Sequence, residues 1–107
     1  LALLLLAGLQ GCARREASYA RLRIGVSPEP SMALLFIAEE RGFFRENGLA
    51  VELKFYPSGK RTLEGLFKGE VEMATPADTP VVFAGFERND FRIAATANIR
   101  SKYRCPA

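Results

Sequence analysis

The sequence predicts an α/β fold built on a mostly parallel, doubly wound sheet. Three observations predict it. Short apolar runs of strand length alternate with longer stretches of helical periodicity. Gly, Pro and Ser clusters separate the two kinds of segment throughout. The resulting order, β-α-β-α-β-α-β, is the one that right-handed crossovers turn into a parallel sheet.

Leu22, Ile24 and Val26 alternate as a first strand, which Ser27-Pro28-Glu29-Pro30-Ser31 ends. Met32 to Arg41 is apolar and rich in helix formers, and Gly42 follows as its stop signal. Phe43 and Phe44 begin one more turn, closed by Asn47-Gly48, a pair suited to positive φ. Val51 to Tyr56 is the second strand, and Pro57-Ser58-Gly59 turns the chain into a helix over Lys60 to Lys68. Leu63, Leu66 and Phe67 share one face of that helix, and Gly69 stops it. Val71 to Thr75 is the third strand. Pro76-Ala77-Asp78-Thr79-Pro80 opens a third helix that runs to about Phe86, and Phe91 to Thr96 is expected as a fourth strand.

Composition narrows the chemistry. A chain of 107 residues with 49% hydrophobic and 25% charged residues is of ordinary globular type and holds one small domain. The net charge of +3 is scattered, with no basic run or aromatic-basic stripe, so nucleic acid is not an expected partner. Histidine is absent. That removes Ser-His-Asp and Cys-His catalysis and every His-ligated metal site. Two cysteines, Cys12 and Cys105, make neither a metal knuckle nor a disulfide framework. Conventional catalysis is poorly supplied, and no metal or cofactor is expected.

Leu1 to Leu9 is apolar throughout and shorter than the roughly 20 residues of a membrane span. Followed by Gln10-Gly11-Cys12 and then Arg14-Arg15-Glu16, it reads as the end of a signal-peptide apolar region over residues 1–11. Leu9-Gln10-Gly11-Cys12 resembles the lipobox of bacterial lipoproteins. That resemblance implies lipidation of Cys12 and firm anchoring by two or three acyl chains. Residues 12–20 are then a tether, and the folded part starts near Arg21.

In open α/β sheets, ligands sit beyond the carboxyl ends of the strands. Those ends are Ser27 to Ser31, Pro57 to Gly59, Thr75 to Thr79 and Thr96 to Asn98, all rich in Ser, Thr, Asn, Pro or Gly. Three lead into helix N-termini, whose free N–H groups suit a small anion. The same Ser and Thr residues also serve as helix caps. Either Asp78 or Thr79 is placed to cap the third helix, and Pro80 fits its first turn. The Asp78 carboxylate either serves as cap or faces the ligand and pairs with a donating group.

Leu34-Leu35-Phe36-Ile37-Ala38-Glu39-Glu40-Arg41-Gly42-Phe43-Phe44, followed by Gly48-Leu49-Ala50-Val51-Glu52, resembles the run shared by extracytoplasmic solute-binding proteins of ABC transporters. The group it resembles is the nitrate/sulfonate/taurine, SsuA/THI5-like type. Ser58-Gly59, Leu66-Phe67-Lys68-Gly69-Glu70-Val71 and Thr79-Pro80 fall in the expected order, and the resemblance spans about Leu22 to Ala97. Glu72 stands where Asp is usual and Gly65 where Ala is usual. The resemblance implies a periplasmic-binding-protein type II-like lobe over residues 21–107. Only part of the first of two lobes is expected here, because the sequence stops at Cys105-Pro106-Ala107.

The resemblance further implies a non-catalytic, lipid-anchored, extracytoplasmic receptor. It would deliver a small solute, of the nitrate/sulfonate/taurine or thiamine-pyrimidine-precursor class, to an ABC permease and its ATPase. Residues carried over as ligand contacts are Ser27, Pro30, Ser58, Gly59, Asp78, Thr79 and Asn98. Two other classes share the fold. One is an extracytoplasmic sensing domain of a signalling protein. The other is a pyrimidine synthase, which relies on an active-site His that this sequence lacks.

Overall fold

The structure is a computed structural model that describes residues 18–97. The leader, Cys12, most of the tether, Asn98 and Cys105 lie outside the described residues. The elements are β1 (Ala20–Val26), a 3-10 turn (Pro30–Met32), α1 (Ala33–Glu40), α2 (Phe43–Glu46), β2 (Leu49–Phe55), α3 (Gly59–Phe67), β3 (Met73–Ala74) and α4 (Asp78–Glu87). The sheet runs in the order β2-β1-β3, and both pairings are parallel. An α/β lobe with β1 at its centre is therefore present.

Each boundary has a local cause. Pro30 takes the first position of the 3-10 turn, where a missing N–H costs nothing. Gly42, Gly48 and Gly69 adopt φ of 74°, 77° and 75°, the left-handed region in which a side chain is strained, and each ends a helical segment. β1 and β2 pair without interruption from Ala20↔Leu49 to Val26↔Phe55. Alternation sends successive side chains to opposite faces. Phe55 stacks on Phe36 of α1 with ring centroids 5.9 Å apart. The next residue, Tyr56, lies against Gly65 of α3. The two helices thus cover opposite faces.

The core is small and is centred on β1. Ile24, Val26, Leu63 and Val71 are buried, with Ala84 reaching in from α4. Among the described residues, no helix is long and apolar enough to cross a membrane.

The expected fourth strand does not form: residues 91–96 are without regular structure, and Ile93 is 72% exposed. The third strand is also shorter than expected, reduced to Met73–Ala74. Alternating Phe91, Ile93 and Ala95 is the pattern of a half-buried strand, but a strand needs a hydrogen-bonded neighbour. The two residues of β3 pair with β1, and the sheet ends there.

Candidate ligand-binding rim

Three of the four expected strand ends converge at one edge of the sheet. Val26 O accepts from Tyr56 N–H at 2.8 Å, which joins the ends of β1 and β2. Gly25 O accepts from both Thr75 N–H (3.2 Å) and the Thr75 hydroxyl (2.9 Å), which joins the ends of β1 and β3. Gly59, the first residue of α3, abuts the β3–α4 loop. A Cβ built there would lie 3.2 Å from Ala77 N, 3.3 Å from Pro76 Cα and 3.5 Å from Thr75 O. A side chain at Gly59 would press on backbone and push the loop back by a few tenths of an ångström, so glycine suits the close approach of α3 to the loop.

Ser27, Ser58, Gly59 and the start of α4 therefore share one rim. Ser58 caps α3, its Oγ accepting from Arg61 N–H at 3.4 Å. In the first turn Thr62, fully buried, donates its hydroxyl to Gly59 O at 2.6 Å. Ser27 is 1% exposed, yet its hydroxyl has no hydrogen-bond partner among the described residues. Strand alternation places Ser27 on the face of Gly25, which meets Thr62 of α3. Two strand residues span about 6.6 Å and one helical turn about 5.4 Å, so Ser27 is level with the cap of α3, one turn before Thr62.

The remaining expected contacts differ from these in role. Pro30 is exposed and shapes the 3-10 turn. Neither Asp78 nor Thr79 is the N-cap of α4: Ala77 holds that position, and no side chain caps it. Asp78 instead lies in the first turn, exposed, where Oδ1 accepts from Thr79 N–H at 2.8 Å and from the Thr79 hydroxyl at 3.4 Å. The carboxylate is still well placed, because a negative charge favours a helix N-terminus. Helix α4 begins one residue earlier than an Asp78 cap requires, since Ala77 is extended (φ −71°, ψ 169°) and Asp78 is already helical.

The Arg23–Glu72 ion pair lies away from the rim. Arg23 Nε donates to Glu72 Oε1 at 3.0 Å, and Arg23 N–H donates to Glu72 Oε2 at 2.7 Å. These bonds hold the Glu72 carboxyl down at about 2. Arg21, Arg23, Glu52 and Glu72 border an open concavity of about 530 Å³ over the first halves of β1 and β2. That is the opposite end of the strands from Ser27, and its charges are mixed in sign. Among the described residues, no group of three or more His, Cys, Asp or Glu side chains is placed to hold a metal ion.

Beneath the rim lies a cluster that residue patterns did not single out. The Tyr56 hydroxyl donates to Glu70 Oε2 at 2.6 Å, and Lys54 Nζ donates to the same oxygen at 3.2 Å. The bond to Glu70 raises the phenol above its ordinary value; the bonds from Tyr56 and then Lys54 lower the carboxyl. The available signal was Gly65, a mid-helix glycine that propensity disfavours and close packing explains.

A central parallel strand flanked by helices, with hydroxyl and amide groups gathered at its carboxyl end, defines an α/β lobe of the periplasmic-binding-protein type II-like class. Residues 15–99 match the NMT1-like family, and the chain belongs to that family. The family, whose members are mostly non-catalytic binding proteins, fits the SsuA/THI5-like binding-protein superfamily. No curated protein and no solved structure matches the chain.

Proposed function

We propose that the chain is the solute-binding component of an ABC importer. It works outside the cytoplasm, held there by lipid on Cys12, and passes its solute to a permease and ATPase. Residues 21–107 form the binding lobe, and residues 12–20 are the tether. The ligand is a small solute of the nitrate, sulfonate or taurine class or a thiamine-pyrimidine precursor, held by Ser27, Pro30, Ser58, Gly59, Asp78, Thr79 and Asn98. Membership of the NMT1-like family supports the binding role.

One observation carries the reading to a site: the buried, unpartnered hydroxyl of Ser27 at the sheet rim. Most buried polar groups find a partner, and leaving one unmade costs about 1 to 3 kcal/mol. A ligand oxygen reaching the rim would satisfy that hydroxyl together with N–H groups at the start of α3. An oxyanion held this way needs no full counter-charge, since donors and the helix end share the work.

Calorimetry of the full chain with nitrate, sulfate, taurine and a hydroxymethylpyrimidine tests this reading. One compound is expected to bind, and Ser27→Ala should weaken it by about tenfold, equivalent to ~1.4 kcal/mol. The same change should leave thermal stability equal or higher, because it deletes an unsatisfied group. Binding by none of the four compounds, or equal affinity in Ser27→Ala, contradicts the proposal.

A further inference from the structure

Tyr56 stands between glycines of two elements. A Cβ on Gly25 of β1 would lie 3.1 Å from Tyr56 Cε2. A Cβ on Gly65 of α3 would lie 2.6 Å from Cζ and closer still to the hydroxyl. The ring therefore fills the gap between strand and helix, and both neighbours lack the atom that would close it. Its hydroxyl is tied to Glu70, whose N–H donates to Gly65 O at 2.9 Å just beyond the C-terminus of α3. The backbone of Tyr56 is tied to Val26, and two residues later the chain reaches Ser58, the cap of α3.

One residue is thus linked to the strand that leads into Ser27, to the start of α3 and to its end. We propose that Tyr56 is a positioning residue for the rim. Its ring sets the height of α3 above β1, and its bond to Glu70 fixes the tilt, so that Ser27 and the first turn of α3 keep one separation. The ligand part of this inference rests on the rim's being the binding face. A hydrogen-bonded helix of nine residues moves as a unit about 13 Å long, so release at one end displaces the other. Displacements well under 1 Å already matter to a preorganised site.

The test uses the full chain and three variants. Tyr56→Phe keeps the spacer and deletes the donor, Glu70→Leu deletes the acceptor, and Glu70→Gln keeps an acceptor oxygen. The first readout needs no ligand: amide hydrogen exchange at Arg61 and Thr62, whose N–H groups bond to Ser58 Oγ and Ser58 O. Exchange there should quicken about fivefold in Tyr56→Phe and Glu70→Leu and return toward wild type in Glu70→Gln. The second readout is calorimetric affinity for sulfate and taurine, expected to fall by about fivefold in the same two variants and to recover in Glu70→Gln.

Unchanged exchange at Arg61 and Thr62 in Tyr56→Phe overturns the proposal, whether or not an anion binds. So does unchanged affinity in Tyr56→Phe when the wild type binds. If the wild type binds neither anion, the choice of ligand falls, while quickened exchange with rescue by Glu70→Gln still establishes that Tyr56 positions α3.

Discussion

Helices α3 and α4 lie side by side, and their packing differs sharply. α3 is polar on average and buries Thr62, Leu63 and Gly65 against the sheet. α4 is far more apolar, yet buries Ala84 alone; Val82, Phe83 and Phe86 are 57%, 65% and 83% exposed. The difference teaches that apolar content does not decide burial. What decides it is whether a facing surface exists at the right spacing, and β1 with β3 provides one for α3.

The sharpest way to break the comparison is to truncate one apolar side chain on each side. Leu63→Ala, on the buried face of α3, should cost about 2 to 5 kcal/mol in denaturant unfolding, through lost transfer energy and a residual cavity. Phe86→Ala should stay within about 0.5 kcal/mol, as an exposed substitution does. Similar losses for the two variants would mean that the outer face of α4 is covered in solution.

A smaller effect distinguishes the helix starts. Ser58 caps α3 with its side chain, whereas α4 relies on Asp78 inside its first turn. Asp78→Asn keeps an acceptor near Thr79 N–H and removes the charge. It should cost about 0.3 to 1 kcal/mol by loss of the charge–dipole interaction. Affinity for an anionic solute should be equal or tighter. A tenfold loss in calorimetry, about 1.4 kcal/mol, would instead place the carboxylate against a donor on the solute.

The smallest effect concerns acid. Glu72 joins β1 to the approach of β3 through Arg23, and its folded-state pKa of about 2 lies below the ordinary carboxylate value. A lowered carboxyl stabilises the fold above its unfolded pKa, and that contribution is lost as pH falls toward 2. Thermal midpoints should therefore drop between about pH 4.5 and pH 2 in the wild type, and Glu72→Gln should flatten part of that slope. An identical slope in both proteins would remove Glu72 as a source of acid sensitivity.

Local chemistry made much of this legible in the residues. The alternation of Leu22, Ile24 and Val26, and glycines at 42, 48 and 69 with positive φ, are properties of short windows, and the elements follow them within a residue or two. Ser27, Ser58 and Gly59 could be placed on one rim because a parallel βαβ order brings strand ends together. Phe91 to Thr96 failed as a strand because alternation specifies a face, not a neighbour. The Ala77 cap escaped notice because alanine carries no capping group; backbone geometry alone marks the position. Tyr56 was hidden for a related reason. Its partners, Gly25, Gly65 and Glu70, are linked by packing across β1 and α3, and no local window contains that contact.

The central place of β1 also bears on how the chain is made. Its pairing partners lie far downstream: Ile24 pairs with Leu53 and with Met73. At ribosomal rates of about 5 to 20 residues per second, β1 waits roughly 2 to 10 s between its own synthesis and that of its last partner. Until β2 is made Ile24, Gly25 and Val26, the most buried strand segment of the finished lobe, have both edges open, and the edge that β3 covers stays open to the end of the interval. Non-local parallel pairing is slow even once all strands exist. The strand at the centre of the fold is therefore its most exposed segment during birth, and the first point at which a chaperone or a neighbouring nascent chain would engage it.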